Sequence, residues 1–157
     1  MASCLNRHDK QLYDNHKKDI WIGYNSRRYD QYVLKAILCG FNPKDINDWM
    51  IVEGKQGWQF SMLLRKIPVN NYDVMTSFHS LKQLEGFMGH DIKESSVSFN
   101  IERKLTPEEI ADTVKYCRHD VMETIEVFLQ RKEEFESHLG LIKMFDLPLS
   151  YMGKTKA

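Results

Sequence analysis

IWIGYNSRRYDQYVLKAILCG, residues 20–40, is the stretch whose reading sets the fold class. IWIGYN at 20–25 is aromatic and β-branched, is interrupted by Gly23, and opens into the polar run NSRR, which predicts a buried strand feeding a turn. Beyond the turn, Tyr29, Tyr32, Val33, Ala36 and Ile37 recur at helical spacing, and Gly40 supplies a C-terminal cap. A strand that passes through a polar turn into a helix is the building unit of an α/β domain. In such a unit a ligand site forms at the carboxyl end of the strand, here where Asn25 and Asp30 stand.

Working outward, residues 1–19 are polar, with Leu5, Leu12 and Tyr13 as the main large apolar side chains, and predict a short amphipathic helix over about 8–18. Downstream, Asn42 as N-cap, Pro43 at the first helical position and Asp45 at the third predict a helix over NPKDINDWMI. Gly54 and Gly57 mark a loop. The following segment reads as extended, with strands near 59–67 and 71–75 separated by Pro68 and the Asn70–Asn71 pair. Ser80 caps a helix over SLKQLEGFM that Gly89 ends. The polar stretch 90–104 is a surface loop long enough to suspect substrate contact. Thr106, Pro107 and Glu109 then form a capping box with proline at the first helical position. The helix they open carries Ile110, Val114, Cys117, Val121, Ile125 and Phe128 as a predicted buried stripe, with Tyr116 and Asp120 at its edge. The tail LIKMFDLPLSYMGKTKA predicts an extended arm. Three segments are therefore expected: a polar N-terminal segment over 1–18, the main domain over 19–137 and an arm over 138–157.

The 157 residues, 42% of them apolar, suffice for one substantial core. With 22 basic and 22 acidic residues the formal net charge is zero, so no global field draws the chain to nucleic acid or an anionic membrane. Any nucleic-acid contact must be local. The 3 cysteines, Cys4, Cys39 and Cys117, form no CxxC and no framework, which points to reduced thiols inside a cell. No apolar run has the length of a membrane span, and the start lacks the apolar core of a signal peptide. No membrane partner is expected.

Two short stretches carry the chemistry. NSRRYD at 25–30 fits N-x-x-x-(F/Y)-D, and YCRHD at 116–120 fits Y-x-x-x-D. On a helix Tyr116 and Asp120 project from one face, one turn apart. In this order, one at a strand end and the other within a late helix, the pair resembles the second and third motifs of the DEDD proofreading exonucleases, tyrosine subtype, on a ribonuclease H-like fold. The text around them, SLKQLEGFMGHDIKES, KLTPEEI and YCRHDVMETIEVF, is similar to the N-terminal exonuclease part of phage- and prophage-encoded DNA polymerases of Gram-positive bacteria. The resemblance spans about residues 18–150.

The resemblance implies a 3′–5′ exonuclease that hydrolyses single-stranded DNA from its 3′ end with two Mg²⁺ or Mn²⁺ ions, in the cytoplasm of a bacterial host and in the service of a polymerase. By this correspondence Asp30 helps hold one metal, Asp120 ligates the other, Tyr116 orients the attacking water and Asn25 contacts the strand near the scissile phosphate. Hard divalent cations suit carboxylate oxygens of this kind. Lys115 stands where the histidine subtype places its base, so the tyrosine subtype is implied, and His119 is expected as a surface or DNA-proximal side chain. Arg27, Arg28 and Arg118 are candidate phosphate contacts, with Lys82, Arg103 and Lys104 extending a basic track that Glu85 and Glu102 dilute. Trp49, Trp58 and Phe60 read as core, with base stacking as the alternative. A zinc site at Cys117 with His119 or His79 is set aside because Cys117 falls in the apolar stripe.

The sequence departs from the family in one place. The first motif, D-x-E on the central strand, is absent: Asp9, Asp14 and Asp19 stand singly on the polar segment before the first strand. The expectations that follow are an exonuclease fold incomplete at its N-terminus, as an excerpt or truncated product; first strands supplied by another chain; or a sheet rebuilt without them. Functionally they correspond to an active domain, a non-catalytic remnant that binds DNA or protein, or one half of a split enzyme. Open sheet edges would favour self-association.

Overall fold

The computed structural model of the protein describes residues 2–75, 79–98, 101 and 103–154, with side chains from residue 8 onward. The chain is mixed α/β and mostly helical. Packing divides it into two compact units, one formed by Met1–Asp73 with Glu133–Ala157 and the other by Val74–Lys132.

The first unit begins with helix α1, Ala2–His16, longer than the 8–18 expected. Its Tyr13 is 7% exposed and donates its hydroxyl to the Pro68 carbonyl at 2.7 Å. Strand β1, Ile20–Gly23, pairs in parallel with β2, Asn70–Asp73, in the register Ile20 with Asn70 and Gly23 with Asp73. Two parallel strands need a crossover, and here it runs through α2, Asp30–Leu38, and α3, Pro43–Asn47, which continues as a π turn over Asp48–Val52. The caps are those read from the sequence. Asn42 accepts from the Lys44 N–H with Pro43 in the first turn, and Gly40 follows α2 at φ +82°. The core of this unit is apolar: Ala36, Ile46 and Leu64 are sealed off, packed by Tyr32, Val33, Cys39, Phe41, Met50 and Phe60.

The expected strand at 59–67 is instead two 3₁₀ turns, Gly57–Gln59 and Met62–Lys66. Gln56 and Gln59 form a capping box for the first, and Ser61 accepts from the Leu63 N–H to open the second. Local side-chain capping competes with strand pairing, and only Leu64 of the second turn is buried while Met62 and Leu63 stay exposed. Gly57 is fixed by close approach, since a Cβ there would run into the Tyr32 ring. The described part of the predicted arm, residues 138–154, also holds regular turns. Helix α6, Lys132–Met144, is followed by a 3₁₀ turn over Leu149–Gly153, and Ile142 and Met152 are buried. Just before the predicted arm the Phe135 ring packs edge-on against Tyr72 of β2 at 5.0 Å between centroids, and His138, within the arm, stands edge-on to the same ring at 6.3 Å.

In the second unit α4, Leu81–Phe87, opens on the Ser80–Gln83 capping box. It closes in a Schellman motif: Gly89 sits at φ +78°, its N–H bonds the Gly86 carbonyl, and the His90 N–H bonds the Glu85 carbonyl. Residues 91–98 form no regular element; Phe99, Asn100 and Glu102 of the expected loop lie outside the described residues. Helix α5, Pro107–Gln130, starts on the Thr106–Glu109 capping box.

The orientation of α5 overturns the expected stripe. Ile110, Val114, Val121 and Ile125 are 44–57% exposed, and Cys117 is exposed with them. The less accessible face carries Thr113, Tyr116, Asp120, Glu123 and Val127. The reason lies in the partner: α4 offers Lys82 and Glu85, and His90 follows it, so charges on α5 find charges there, whereas desolvating them against an apolar surface would be costly. Among the described residues no helix is long and apolar enough to cross a membrane.

Candidate functional site

The expected site residues fall into both units: Asn25, Arg27, Arg28 and Asp30 in the first, Tyr116, Arg118 and Asp120 in the second.

In the first unit the turn after β1 is built on a residue that the sequence reading overlooked. Asp73 ends β2 beside Gly23, and its carboxylate accepts from the backbone N–H of Asn25 and of Arg27, both at 2.9 Å. Asn25 adopts φ +55°, a left-handed conformation asparagine tolerates. Ser26, buried, donates to the Oδ1 of the equally buried Asn71 at 2.9 Å. This clamp fixes the turn and delivers Asp30 to the first position of α2. The Asp30 carboxyl reaches solvent, yet partial desolvation raises it above the ordinary range; its own backbone N–H opposes the rise and the neighbouring Asp73 adds to it. Arg27 turns inward: Nη2 donates to the Lys154 carbonyl at 3.4 Å, and Nε is buried without an acceptor. Arg28 is exposed and remains available to a phosphate.

In the second unit Tyr116 and Asp120 do share one partly buried face of α5, but Asp120 is already paired. Lys82 Nζ donates to Asp120 Oδ1 at 2.9 Å and to Glu85 Oε1 at 2.9 Å, and lies 4.7 Å from the centroid of the Tyr116 ring. Burial alone would lower the Lys82 ammonium; its bonds to Asp120 and Glu85 outweigh burial and hold it above its ordinary value. Partial burial raises the Tyr116 phenol, and Asp120 adds to the rise. Glu85 is completely buried beneath this bridge.

Several expectations change here. His119 is not a surface residue: its side chain is 18% exposed, with Nε2 3.7 Å from Glu85 Oε2 and Nδ1 3.9 Å from Glu123 Oε1. The basic track loses Lys82 to Asp120, and loses Arg103 to Glu109, which it grips with two bonds of 2.7 Å. Arg118 and Lys104 are exposed. Phe60 and Trp49 pack edge-on at 5.8 Å, as expected of core, whereas Trp58 is 45% exposed.

Two carboxylates of the resemblance are thus present, but among the described residues neither belongs to a cluster with ligand spacing. Among the described residues the group of three or more metal-ligating side chains that comes together is His90, Glu123 and Glu126, which includes neither Asp30 nor Asp120. Asp73 spends its oxygens on backbone N–H groups and Asp120 faces an ammonium, so the residues present do not by themselves fit a pair of Mg²⁺ or Mn²⁺ ions. The residues the sequence reading missed, Asp73, Glu85, His90 and Glu123, left only faint signals: Lys82 and Glu85 at a spacing of three, His119 and Glu123 at four, both ordinary on helices. No family model, no curated protein and no solved structure matches this chain.

Proposed function

We propose that this chain derives from a proofreading-type 3′–5′ exonuclease domain of ribonuclease H-like ancestry that serves a phage- or prophage-type DNA polymerase and handles the 3′ end of single-stranded DNA. The observation that carries the reading is the placement of its two motifs. Asn25 to Asp30 occupy the clamped turn from β1 into α2, and Tyr116 and Asp120 stand one turn apart on a single face of a capped helix. These are the placements the resemblance requires of its second and third motifs. Asp30, Tyr116 and Asp120 are the proposed catalytic positions, and Asn25, Arg28 and Arg118 the proposed strand contacts. Arg27 acts through the turn it stabilises.

A second reading has its own support. The Lys82 ammonium lies against Asp120 where a catalytic cation would be wanted, and the D-x-E carboxylates are not in the sequence. Binding a strand without cutting it is therefore the activity expected of the chain alone, and cutting requires carboxylates from another segment or chain. Digestion of a 5′-labelled single-stranded oligonucleotide with Mn²⁺ tests this. Retention of the strand without shortening is expected from the chain alone, with 3′ laddering once a polypeptide bearing the D-x-E strands is supplied, and loss of that laddering in Asp120→Ala. Laddering by the chain alone that persists in both Asp30→Ala and Asp120→Ala would overturn the site.

A further inference from the structure

A second cluster on α5 is unrelated to the motif pair. Glu123 and Glu126 stand three residues apart on the helix, so both reach the same side of it, and His90 meets them from the end of α4. The position of His90 is set by backbone: it is the residue after Gly89 in the Schellman motif, with its N–H on the Glu85 carbonyl at 2.9 Å. Its Nδ1 is 2.8 Å from Glu123 Oε2 and its Nε2 is 3.6 Å from Glu126 Oε1. One nitrogen of His90 and one oxygen from each glutamate lie within 4.8 Å of one another.

One further observation distinguishes this cluster from acidic groups that merely share a surface. Glu123 is 7% exposed, and the charged partners of Glu123 and Glu126 among the described residues are imidazoles alone, His90 for both and His119 for Glu123. Lys82 serves Glu85 and Asp120 and does not reach them. A buried carboxylate with no permanent cation beside it, here Glu123, is costly unless positive charge is supplied.

We propose that His90, Glu123 and Glu126 bind one divalent transition-metal ion of the zinc class, at a site separate from Asp30 and Asp120. One imidazole nitrogen and two carboxylate oxygens are a donor set that suits zinc and its neighbours rather than an all-oxygen magnesium or calcium site. Metal–ligand bonds of about 2.0–2.2 Å in a tetrahedron place ligand atoms roughly 3.4 Å apart, so the cluster needs only side-chain rotation of the glutamates to close on an ion. His90 and Glu126, with side chains 33% and 45% exposed, give an ion access from solvent, while Glu123 holds the inner side. The bound ion would tie α4 to α5 and leave one coordination position for water or a ligand.

Titration of the whole chain with Co²⁺, read by its visible d–d absorption and by competition with Zn²⁺, tests the site without any nuclease assay. One tetrahedral Co²⁺ per chain is expected, displaced by Zn²⁺. Affinity should fall at least about tenfold in His90→Gln and in Glu126→Gln, and stay within twofold of the parent in Asp120→Asn and in Cys117→Ser. Glu126 is exposed enough for its variant to fold, and far-UV circular dichroism checks this for His90→Gln. Absence of a tetrahedral spectrum, binding that survives both variants, or binding lost in Cys117→Ser with a thiolate charge-transfer band would each overturn the proposal.

Discussion

Each of the two units of this chain has an interior of a different kind. The first buries Ala36, Ile46, Leu64, Tyr72, Ile142 and Met152, with Ser26 and Asn71 as its buried polar pair and, among the described residues, no buried charge. The second buries Val74 and Val127 but also Glu85 and Glu123, and turns Ile110, Val114, Val121, Met122 and Ile125 outward. A helix therefore does not bury its apolar face by rule; it buries the face for which its neighbour has partners. Where the neighbour is Lys82, Glu85 and His90, that face is charged.

The largest expected effect separates the units by removing one cation. Lys82→Met leaves Glu85 buried and Asp120 unpaired and should cost about 3–5 kcal/mol in chemical denaturation. The double variant Lys82→Met/Glu85→Leu should recover most of that loss; no recovery would mean that Lys82 acts by packing and not by charge. Next, Ile46→Ala should cost about 2–5 kcal/mol as a cavity in a sealed core, while Val121→Ser, on the predicted but exposed stripe, should stay within about 0.5 kcal/mol. Equal losses at the two positions would restore the buried stripe and break the comparison.

Asp73→Asn is expected to cost about 1–3 kcal/mol by weakening two backbone bonds of the turn. It also removes a negative charge beside Asp30, so the raised Asp30 carboxyl should move partway back down, by carboxyl ¹³C shifts, but not fully, because desolvation is the larger cause. An unmoved Asp30 would show that Asp73 does not couple to it.

The smallest effect concerns the start of α5. Arg103 first, and the Thr106 N–H after it, hold the Glu109 carboxyl down to about 2 against an ordinary 4.5. A depressed folded value stabilises above the unfolded value and is lost on acidification, so fraying of the first turn should grow between about pH 4.5 and pH 2. Arg103→Ala should shift that fraying to higher pH, read by amide exchange at Glu108, Glu109 and Ile110; an unchanged profile would show that the ion pair does not hold the first turn.

How far the sequence could be read follows the same division. Caps and punctuation were legible because they are local: Asn42, Pro43, Ser80, Gly89, Thr106 and Glu109 need only near neighbours to act. The strand–turn–helix order at 20–40 was legible for the same reason, although the strand is not the buried one expected: Ile22 is 39% exposed and Ile20 and Trp21 are half-buried. What was not legible depended on distant partners. The segment 59–67 alternates enough to pass for a strand, but Ser61 and Gln56 cap turns there. The face of α5 was misread because apolar spacing alone cannot report that α4 is charged. Of the proposed site, Asp30 at the start of α2 and Tyr116 and Asp120 on one face of α5 stand on the elements read from the sequence. Asp73, which builds the turn, and Lys82, which occupies Asp120, are long-range partners carrying no motif.

The measurement that bears most directly on the account is a fluorescence-anisotropy titration of a labelled single-stranded oligonucleotide with a free 3′ hydroxyl, made in EDTA with the parent chain and with Arg28→Ala and Arg118→Ala. The account predicts saturable binding in the range of about 10⁻⁴–10⁻⁶ M that weakens with salt and in both variants. No rise in anisotropy across that range, or binding indifferent to both arginines, would contradict the assignment of this chain to the 3′ end of a DNA strand.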